Sequence, residues 1–460
     1  MQGDAVLTDN SLFITPLGLG LTLTMCLLLL GLPRRYALVP IIVLVCFMTM
    51  GERLVVAGLD FPMLRILMLA GWARVIVRGE AQLGQWTPID KALIAFIISS
   101  IVSYTILWGT SEAFINRLGQ AYNLLGSYFL FRFLIRDTSD IVRAFNILAI
   151  CAIPLASAML IEKISGRNAF AIFGGVPLLT AVRNGAVRCQ GPFAHPILAG
   201  TFGATIFPFL FALWWQAERK RLIYFIGMLS SIVIVLTSSS SGPVIALLSG
   251  WVGLTLWPLR RNMRMVRWGI LLLVIGLEAV MEAHIWFLIA RINLVSGSTA
   301  YYRAYLIDRF IANFSDWWLL GIKSTGVWAE ASLGLHDRTN QYIVYAADGG
   351  LITLIMAISI ITYAFRSVGR AWRAVSGTVP RLQFSIWALG AALFAHVVNF
   401  ISVSYFDQNV TNWYLLLAMI ATASVVGQAA QTKAITDDDA EDEPKGLAPL
   451  WEDNLSGIRP

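Results

Sequence analysis

Apolar residues run along the chain in blocks, separated by short polar and charged stretches. A helix that crosses the hydrocarbon layer needs about 20 such residues. That criterion predicts about thirteen helical spans. They cover residues 12–32, 36–56, 62–77, 89–107, 114–134, 141–161, 193–215, 222–236, 244–259, 268–289, 341–365, 382–401 and 413–426. The third is the weakest, being short and carrying Arg65 and Arg74. The pattern therefore predicts an all-α, polytopic transmembrane bundle of about 12–13 spans. Residues 1–290 form ten spans, 291–340 a long loop, and 341–427 the last three spans.

Charge alternates along this list. Arg34 and Arg35 follow the first span; Arg74, Arg78 and Lys91 follow the third. Arg132, Arg136 and Arg143 flank the fifth connection, and Arg219, Lys220 and Arg221 follow the seventh span. Arg260, Arg261, Arg264 and Arg267 follow the ninth; Arg366, Arg370, Arg373 and Arg381 follow the eleventh. Short basic loops face the cytoplasm. The N-terminus, with Asp4 and Asp9, is then expected outside and the C-terminus inside. No cleavable signal is read at the N-terminus, which lacks a basic region before its apolar run. Residues 428–460 carry an acidic block, Asp437 to Glu443, and read as a disordered cytoplasmic tail.

Composition narrows the class further. Of the 460 residues, 57% are hydrophobic and 13% charged, which excludes a disordered chain and a soluble nucleic-acid binder. The net charge of +7 is accounted for by the basic loops. The four cysteines fit no metal spacing; Cys26, Cys46 and Cys151 lie in apolar runs and Cys189 in a polar loop, so no disulfide is expected.

Two outer loops, about 162–190 and 291–340, are long and carry arginines against the topogenic trend. Arg167, Arg183 and Arg188 stand in the first; Arg291, Arg303, Arg309 and Arg338 stand in the second. Such placement suits an anionic ligand, although long loops also translocate regardless of charge. The stretch Tyr302 to Phe310 has helical spacing of aromatic and basic residues. It fits a helix lying on the bilayer surface or one packed over the bundle.

Three polar motifs interrupt the apolar pattern. Arg188-Cys189-Gln190-Gly191-Pro192-Phe193-Ala194-His195-Pro196 opens the seventh span. Its Gly-Pro and His-Pro steps break regular helix, which reads as a site wall or as a plain loop-to-helix turn. Thr237 to Pro243 is a serine-rich turn read mainly as a helix cap, with anion binding as the alternative. His336-Asp337-Arg338-Thr339-Asn340-Gln341-Tyr342 leads into the eleventh span. A helix starting near Asp337 would put His336 and Asn340 on one edge. Asp348 lies within the apolar run, where a carboxylate must be paired or wet. The four histidines have no metal spacing, and the chain has no nucleotide-binding or nucleophile-elbow motif.

These residues together resemble the O-antigen ligase and Wzy-type polysaccharide polymerase superfamily, over about residues 61–350. The resemblance rests on Phe61 to Leu67, on Arg188 with Gly191 to Pro196, and on the long loop. There Tyr302-Arg303 precedes Leu320-Gly321, and Thr339-Asn340-Gln341-Tyr342 precedes Asp348 and Gly350. Thr339 stands where the family pattern has His, and Ser241 where many members have Arg.

The resemblance implies a GT-C-like glycosyltransferase of the bacterial inner membrane, active at the periplasmic face. It implies an undecaprenyl diphosphate-linked glycan as donor and a lipid or glycan acceptor, with exopolysaccharide or lipopolysaccharide as the product class. No cofactor and no metal are expected. Flippase and chain-length regulator proteins are the implied partners, and nucleic acid is not. Loop arginines are expected to hold the diphosphate, with Arg188 and Arg303 ahead of Arg291 and Arg309. A histidine activates the acceptor hydroxyl; His336 is the first choice, with Asp337 or His195 in reserve. His195, Asn340, Tyr342 and Asp348 are the further candidates for substrate contact. The rival expectation is a secondary transporter of a small anionic solute, whose interrupted helices would be those at Gly191-Pro192 and Gly242-Pro243.

Overall fold

A computed structural model describes residues 15–56, 59–291, 300–328, 338–375 and 380–441. Its helices are α1 (Pro16–Gly31), α2 (Leu38–Phe47), α3 (Met63–Val77), α4 (Pro88–Trp108), α5 (Ser111–Leu134), α6 (Thr138–Ser165), α7 (Pro196–Gln216), α8 (Arg221–Thr237), α9 (Ser241–Thr255), α10 (Met263–Val280), α11 (Leu288–Arg291), α12 (Ala300–Ala312), α13 (Phe314–Trp317), α14 (Gln341–Ala374), α15 (Pro380–Asn399) and α16 (Gln408–Glu441). Two small antiparallel ribbons, β1 (Arg53–Val56) with β2 (Leu59–Pro62) and β3 (Ala181–Arg183) with β4 (Ala186–Arg188), lie in the connections. The chain is an all-α bundle of a polytopic membrane protein. Among the described residues, six helices are long and apolar enough to cross a membrane: α4, α6, α7, α14, α15 and the Gln408–Gly427 part of α16. A seventh span arises if the chain from Trp257 to Arg291, bent by 95°, counts as one.

Several of the other expected spans are short helices. α1, α8 and α9 are apolar but have 16, 17 and 15 residues. α2 has only 10, and α3 has 15 and includes Arg65 and Arg74. The run 413–426 lies inside α16, whose backbone stays helical to Glu441. The expected change from span to disordered tail at 428 is thus not a break, because Gln428-Ala429-Ala430-Gln431 are good helix formers that carry the last turns onward. Residues 442–460 lie outside the described residues, as do Asp4 and Asp9.

Helix starts follow local chemistry. Thr15, Thr87, Thr110, Asp137, His195 and Asn340 each accept a backbone N–H in the first turn of the following helix. At Thr87 the partner Asp90 returns the bond, closing a capping box.

The connections fall at two ends, each tied together by buried polar contacts. At one end the short basic loops meet. Arg74 is 1% exposed and gives both outer nitrogens and Nε to Glu80 and the Leu29 and Leu32 carbonyls. Arg132 reaches Asp90 and Thr422, and Arg34 and Arg143 share Asp140. At the other end the chain leading into α7 meets the serine turn and the start of α16. Gln408 donates to the Met48 and Pro192 carbonyls at 3.1 Å, and Cys189 N–H donates to Thr237 O. All four cysteines are free and buried, Cys189 included.

The described part of the long loop, 300–328, is packed on the bundle. Tyr305 and Leu306 of α12, with Trp317 and Trp328, enclose Ile343 and Ala346 of α14. α12 is therefore a helix over the bundle, the second of the two alternatives above. Beneath it α14 is interrupted: Gly350 has φ +71° and ψ −171°, outside the helical region. The residues just after α13 fill the break. Ile322 N–H donates to Ala347 O at 2.7 Å and Leu351 N–H to Trp318 O at 2.8 Å. The freed backbone groups are thus satisfied inside protein, as a membrane-level break requires. A Cβ on Gly321 (φ +97°) would lie 2.1 Å from Ala347 O, and one on Gly350 would lie 2.4 Å from Leu319 O. Only glycine fits at either position.

Candidate functional site

α5 begins at the long-loop end with polar residues at helical spacing. Asn116, Arg117, Gln120, Asn123 and Ser127 recur every three to four residues and share one face. That face, with α3, α14, α16 and the 400–407 loop, encloses a cavity of about 470 Å³. Gln341, Val344, Tyr345 and Asp348 of α14 face it at i, i+3, i+4 and i+7. The break at Gly350 ends the turn that carries Asp348.

Two arginines stand in the cavity wall. Arg65 donates from Nε to Asn123 Oδ1 at 2.6 Å, from Nη1 to Asp60 O, and from Nη2 to Gly119 O at 3.4 Å. Its partners are all neutral. Arg117 lies over the Tyr104 ring, 3.6 Å from its centre, and donates to Gln120 Oε1 at 2.8 Å. Its Nη2 pairs with Asp348 Oδ2 at 2.9 Å, while Arg338 takes the other carboxylate oxygen at 2.7 Å. Asp348, a carboxylate in an apolar run, is thus paired on both oxygens.

Asp407 also lines the cavity. Its φ of +53° is in the left-handed region, which a non-glycine residue adopts at a cost. Its carboxylate has no hydrogen bond and no ion pair among the described residues. Burial pushes its pKa up to about 6. The loop that carries it is fixed through Tyr405, whose N–H donates to Gln341 Oε1 and whose hydroxyl meets His396 Nδ1 at 2.8 Å.

A second cationic group lies outside the cavity lining. Arg188 donates to Ser240 Oγ at 2.8 Å, and Lys163 Nζ donates to Ser239 Oγ at 2.9 Å and to Val187 O. The expected helix cap is not made by Ser240, which forms no side-chain capping bond to α9; the hydroxyls of Ser239 and Ser240 instead accept from Lys163 and Arg188. His195 Nδ1 accepts from Ile197 N–H. Burial, with Arg188 and Arg183 adding to it, pulls its pKa down to about 4, so its imidazole is neutral near pH 7.

Of the residues expected at the site, the structure brings Asp348 into the cavity, and with it Arg65 of the Phe61–Leu67 motif. His336 and Asp337 lie outside the described residues. α14 starts at Gln341, not near Asp337. Asn340 is its cap: Oδ1 accepts from Tyr342 and Ile343 N–H, and Nδ2 donates to Ile401 O. The expected shared edge of His336 and Asn340 is therefore not formed by α14. Tyr342 donates its hydroxyl to Val397 O, a structural bond to α15. Arg188 and His195 sit together in the second cationic group. Arg303 is on the buried face of α12, 7% exposed, and Arg309 is stacked 4.9 Å from the centre of Tyr305. Arg291 ends α11 at the surface. None of these arginines lines the cavity. Thr339, which stands where the resembled pattern has His, has a buried hydroxyl with no partner among the described residues.

Sequence reading passed over Arg117 and Asp407. The signal for Arg117 was present, as a polar stripe inside an otherwise apolar span. Among the described residues no three His, Cys, Asp or Glu side chains group as metal ligands. Comparison of the chain with family models and with curated proteins finds no match.

Proposed function

We propose that the protein is a metal-independent membrane glycosyltransferase of GT-C-like architecture. It would take a glycan from an undecaprenyl diphosphate carrier at the periplasmic face of a bacterial inner membrane. The observation that carries the reading is one cavity holding two guanidiniums, Arg65 and Arg117, and a carboxylate, Asp407, that has no partner among the described residues. The family resemblance supplies the substrate class, and the cavity supplies a place for the chemistry.

In this reading the donor diphosphate sits against Arg65 and Arg117. Arginine remains protonated and matches phosphate oxygens with paired N–H groups. As the bond from the anomeric carbon to the diphosphate oxygen breaks, negative charge grows on the leaving group, where fixed cations act most strongly. Asp407 accepts the proton of the acceptor hydroxyl as the new glycosidic bond forms. A base with a pKa near the working pH suits that step. Asp348, held by Arg117 and Arg338, sets the position of Arg117.

The test is to incubate the purified protein in nanodiscs with undecaprenyl diphosphate-linked repeat units, following glycan length and attachment by mass spectrometry. Longer or transferred glycan from the wild type, lost in Arg65→Gln and Arg117→Gln, supports the reading. Unchanged glycan from a folded wild type refutes it. A strict requirement for a divalent cation would refute the metal-independent step.

The break of α14 at Gly350, two residues after Asp348, favours the transporter as a second reading. Proteoliposome uptake of a phosphorylated or carboxylated solute, with no glycan transfer, would establish it in place of the first.

A further inference from the structure

Glu52 closes the turn Thr49-Met50-Gly51-Glu52 that follows α2, and it is 1% exposed. Its Oε1 accepts from the N–H of Thr15 at 3.0 Å and from the Thr15 hydroxyl. Its Oε2 is buried and has no hydrogen-bond partner among the described residues, and among them neither oxygen has an ion-pair partner. A buried carboxylate is costly unless it is paired. Asp90, Asp140 and Asp348 are each paired with arginine. Asp407 faces the cavity, which Glu52 does not line.

The carboxylate is enclosed from two directions. A Cβ on Gly18 of α1 would lie 2.2 Å from Glu52 Oε2 and 2.8 Å from the Met48 methyl. A Cβ on Gly174 would lie 3.2 Å from Glu52 Oε1. A Cβ on Gly51 would lie 2.3 Å from Gly175 Cα, so the turn and the 174–175 loop touch backbone to backbone.

Two neutral oxygens belong to the same place. Thr49, at the other end of the turn, is fully buried, and its Oγ1 has no partner among the described residues. The ends of such a turn lie less than about 7 Å apart. Gln408, also fully buried, seats on the residue before the turn, donating from Nε2 to the carbonyls of Met48 and Pro192. Those two acceptors fix the amide, since only its nitrogen can donate to them. Its Oε1 then points away from them, and it too has no partner among the described residues. Carboxylate, hydroxyl and amide oxygens are the ligands that hard cations take. A single carboxylate balances a single positive charge, which favours a monovalent ion over a divalent one.

We infer that Glu52 Oε2, Thr49 Oγ1 and Gln408 Oε1 hold a monovalent alkali cation of the sodium class, between α1, the turn after α2 and the start of α16. Two of these elements carry cavity residues: Met50 lies inside the turn, and Asp407 directly precedes Gln408. The cation braces the cavity wall and takes no part in group transfer. The inference does not rest on the proposed function, and its test needs no turnover.

The test uses the purified full-length protein in phosphatidylcholine nanodiscs, with radiolabelled sodium as probe and choline chloride holding the ionic strength constant. The wild type is expected to bind about one sodium ion per chain and to melt about 3–5 °C higher in sodium than in choline. Glu52→Gln keeps an oxygen for Thr15 but removes the charge. It should bind no sodium and melt alike in both salts. In choline it should melt no lower than the wild type, because it no longer buries an unneutralised carboxylate; a role limited to the Thr15 bonds would instead leave the sodium response intact. Thr49→Val keeps the volume and the carboxylate and should weaken sodium binding about tenfold; it carries the test alone if Glu52→Gln does not fold. A wild type that binds no sodium and melts alike in sodium and choline overturns the inference and leaves Glu52 holding a proton or a water. Equal sodium binding by the wild type and the folded variants overturns it by placing the ion elsewhere. Displacement of the sodium by an equal concentration of calcium overturns the monovalent assignment.

Discussion

Arg117 Nη2 lies 2.9 Å from Asp348 Oδ2, joining the polar stripe of α5 to the broken helix α14. The carboxylate is held from its other side by Arg338. Arg117→Gln keeps a hydrogen-bonding side chain but removes the cation. Transfer should fall about 100-fold, with Asp348 still held by Arg338 and the protein still folded. Adding Asp348→Asn to that variant leaves Arg338 without its carboxylate. The double variant should then melt lower than Arg117→Gln and remain inactive. Recovery of transfer in the double variant would show that the pair is structural only.

Asp407 couples activity and stability in opposite directions. Its pKa rises from 3.8 to about 6 in the folded protein. The folded state therefore holds that proton more tightly than the unfolded chain. The stabilisation is complete below pH 3.8 and is lost as pH rises through about 6. At pH 7.5 the buried carboxylate is a burden, so Asp407→Asn should be more stable by about 1–3 kcal/mol. The same variant should lose transfer, while wild-type transfer rises through pH 6. Thermal unfolding and pH–rate profiles of the two proteins check both halves.

Gly350 is the point where α14 breaks. Gly350→Ala places a methyl 2.4 Å from Leu319 O at a φ of +71°. The cost should be roughly 2 kcal/mol or more, read as a lower melting temperature in detergent. Since the loop after α13 fills the break, the displaced loop should also disturb Asp348 and reduce transfer.

His195 acts on stability in the acidic range. Its pKa falls from 6.5 to about 4 on folding. The unfolded chain therefore takes up a proton first, and stability present above pH 6.5 is lost as pH falls toward 4. Asn can also cap a helix, so His195→Asn should keep α7 but flatten the melting temperature between those pH values. An equal acid slope in both proteins would assign it to other groups.

The fold was largely legible because the bilayer imposes a length on apolar runs. The runs that became α6, α7 and α15 announced themselves in this way. The reading was less reliable where helices are short. The 10 residues of α2 and the 15 of α3 do not meet the span length, although their apolar character is plain. The break at Gly350 was not foreseen. Asp348 and Gly350 stood out in the resemblance, but only tertiary structure places Leu319 beside Gly350.

The site was legible in part. Asp348 was singled out as a carboxylate in an apolar run, and Arg65 lay in a motif that carried the resemblance. Arg117 was hidden because its polar stripe lies inside an otherwise apolar span. Asp407 had no local signal at all: its exposure to the cavity follows from a left-handed backbone and from Tyr405 being held by Gln341 and His396. Arg188 and Arg303 stood out by charge in outer loops. Charge alone does not reveal that one bonds the serine turn at Ser240 and the other lies on the buried side of α12.

The most direct measurement is the release of undecaprenyl diphosphate from a radiolabelled lipid-linked repeat unit, followed in single turnover by wild type, Arg65→Gln, Arg117→Gln and Asp407→Asn. The account predicts carrier release in step with glycosidic bond formation in the wild type, and at least about 100-fold slower release in each variant. Release at the wild-type rate in both arginine variants, with all proteins folded, would contradict it.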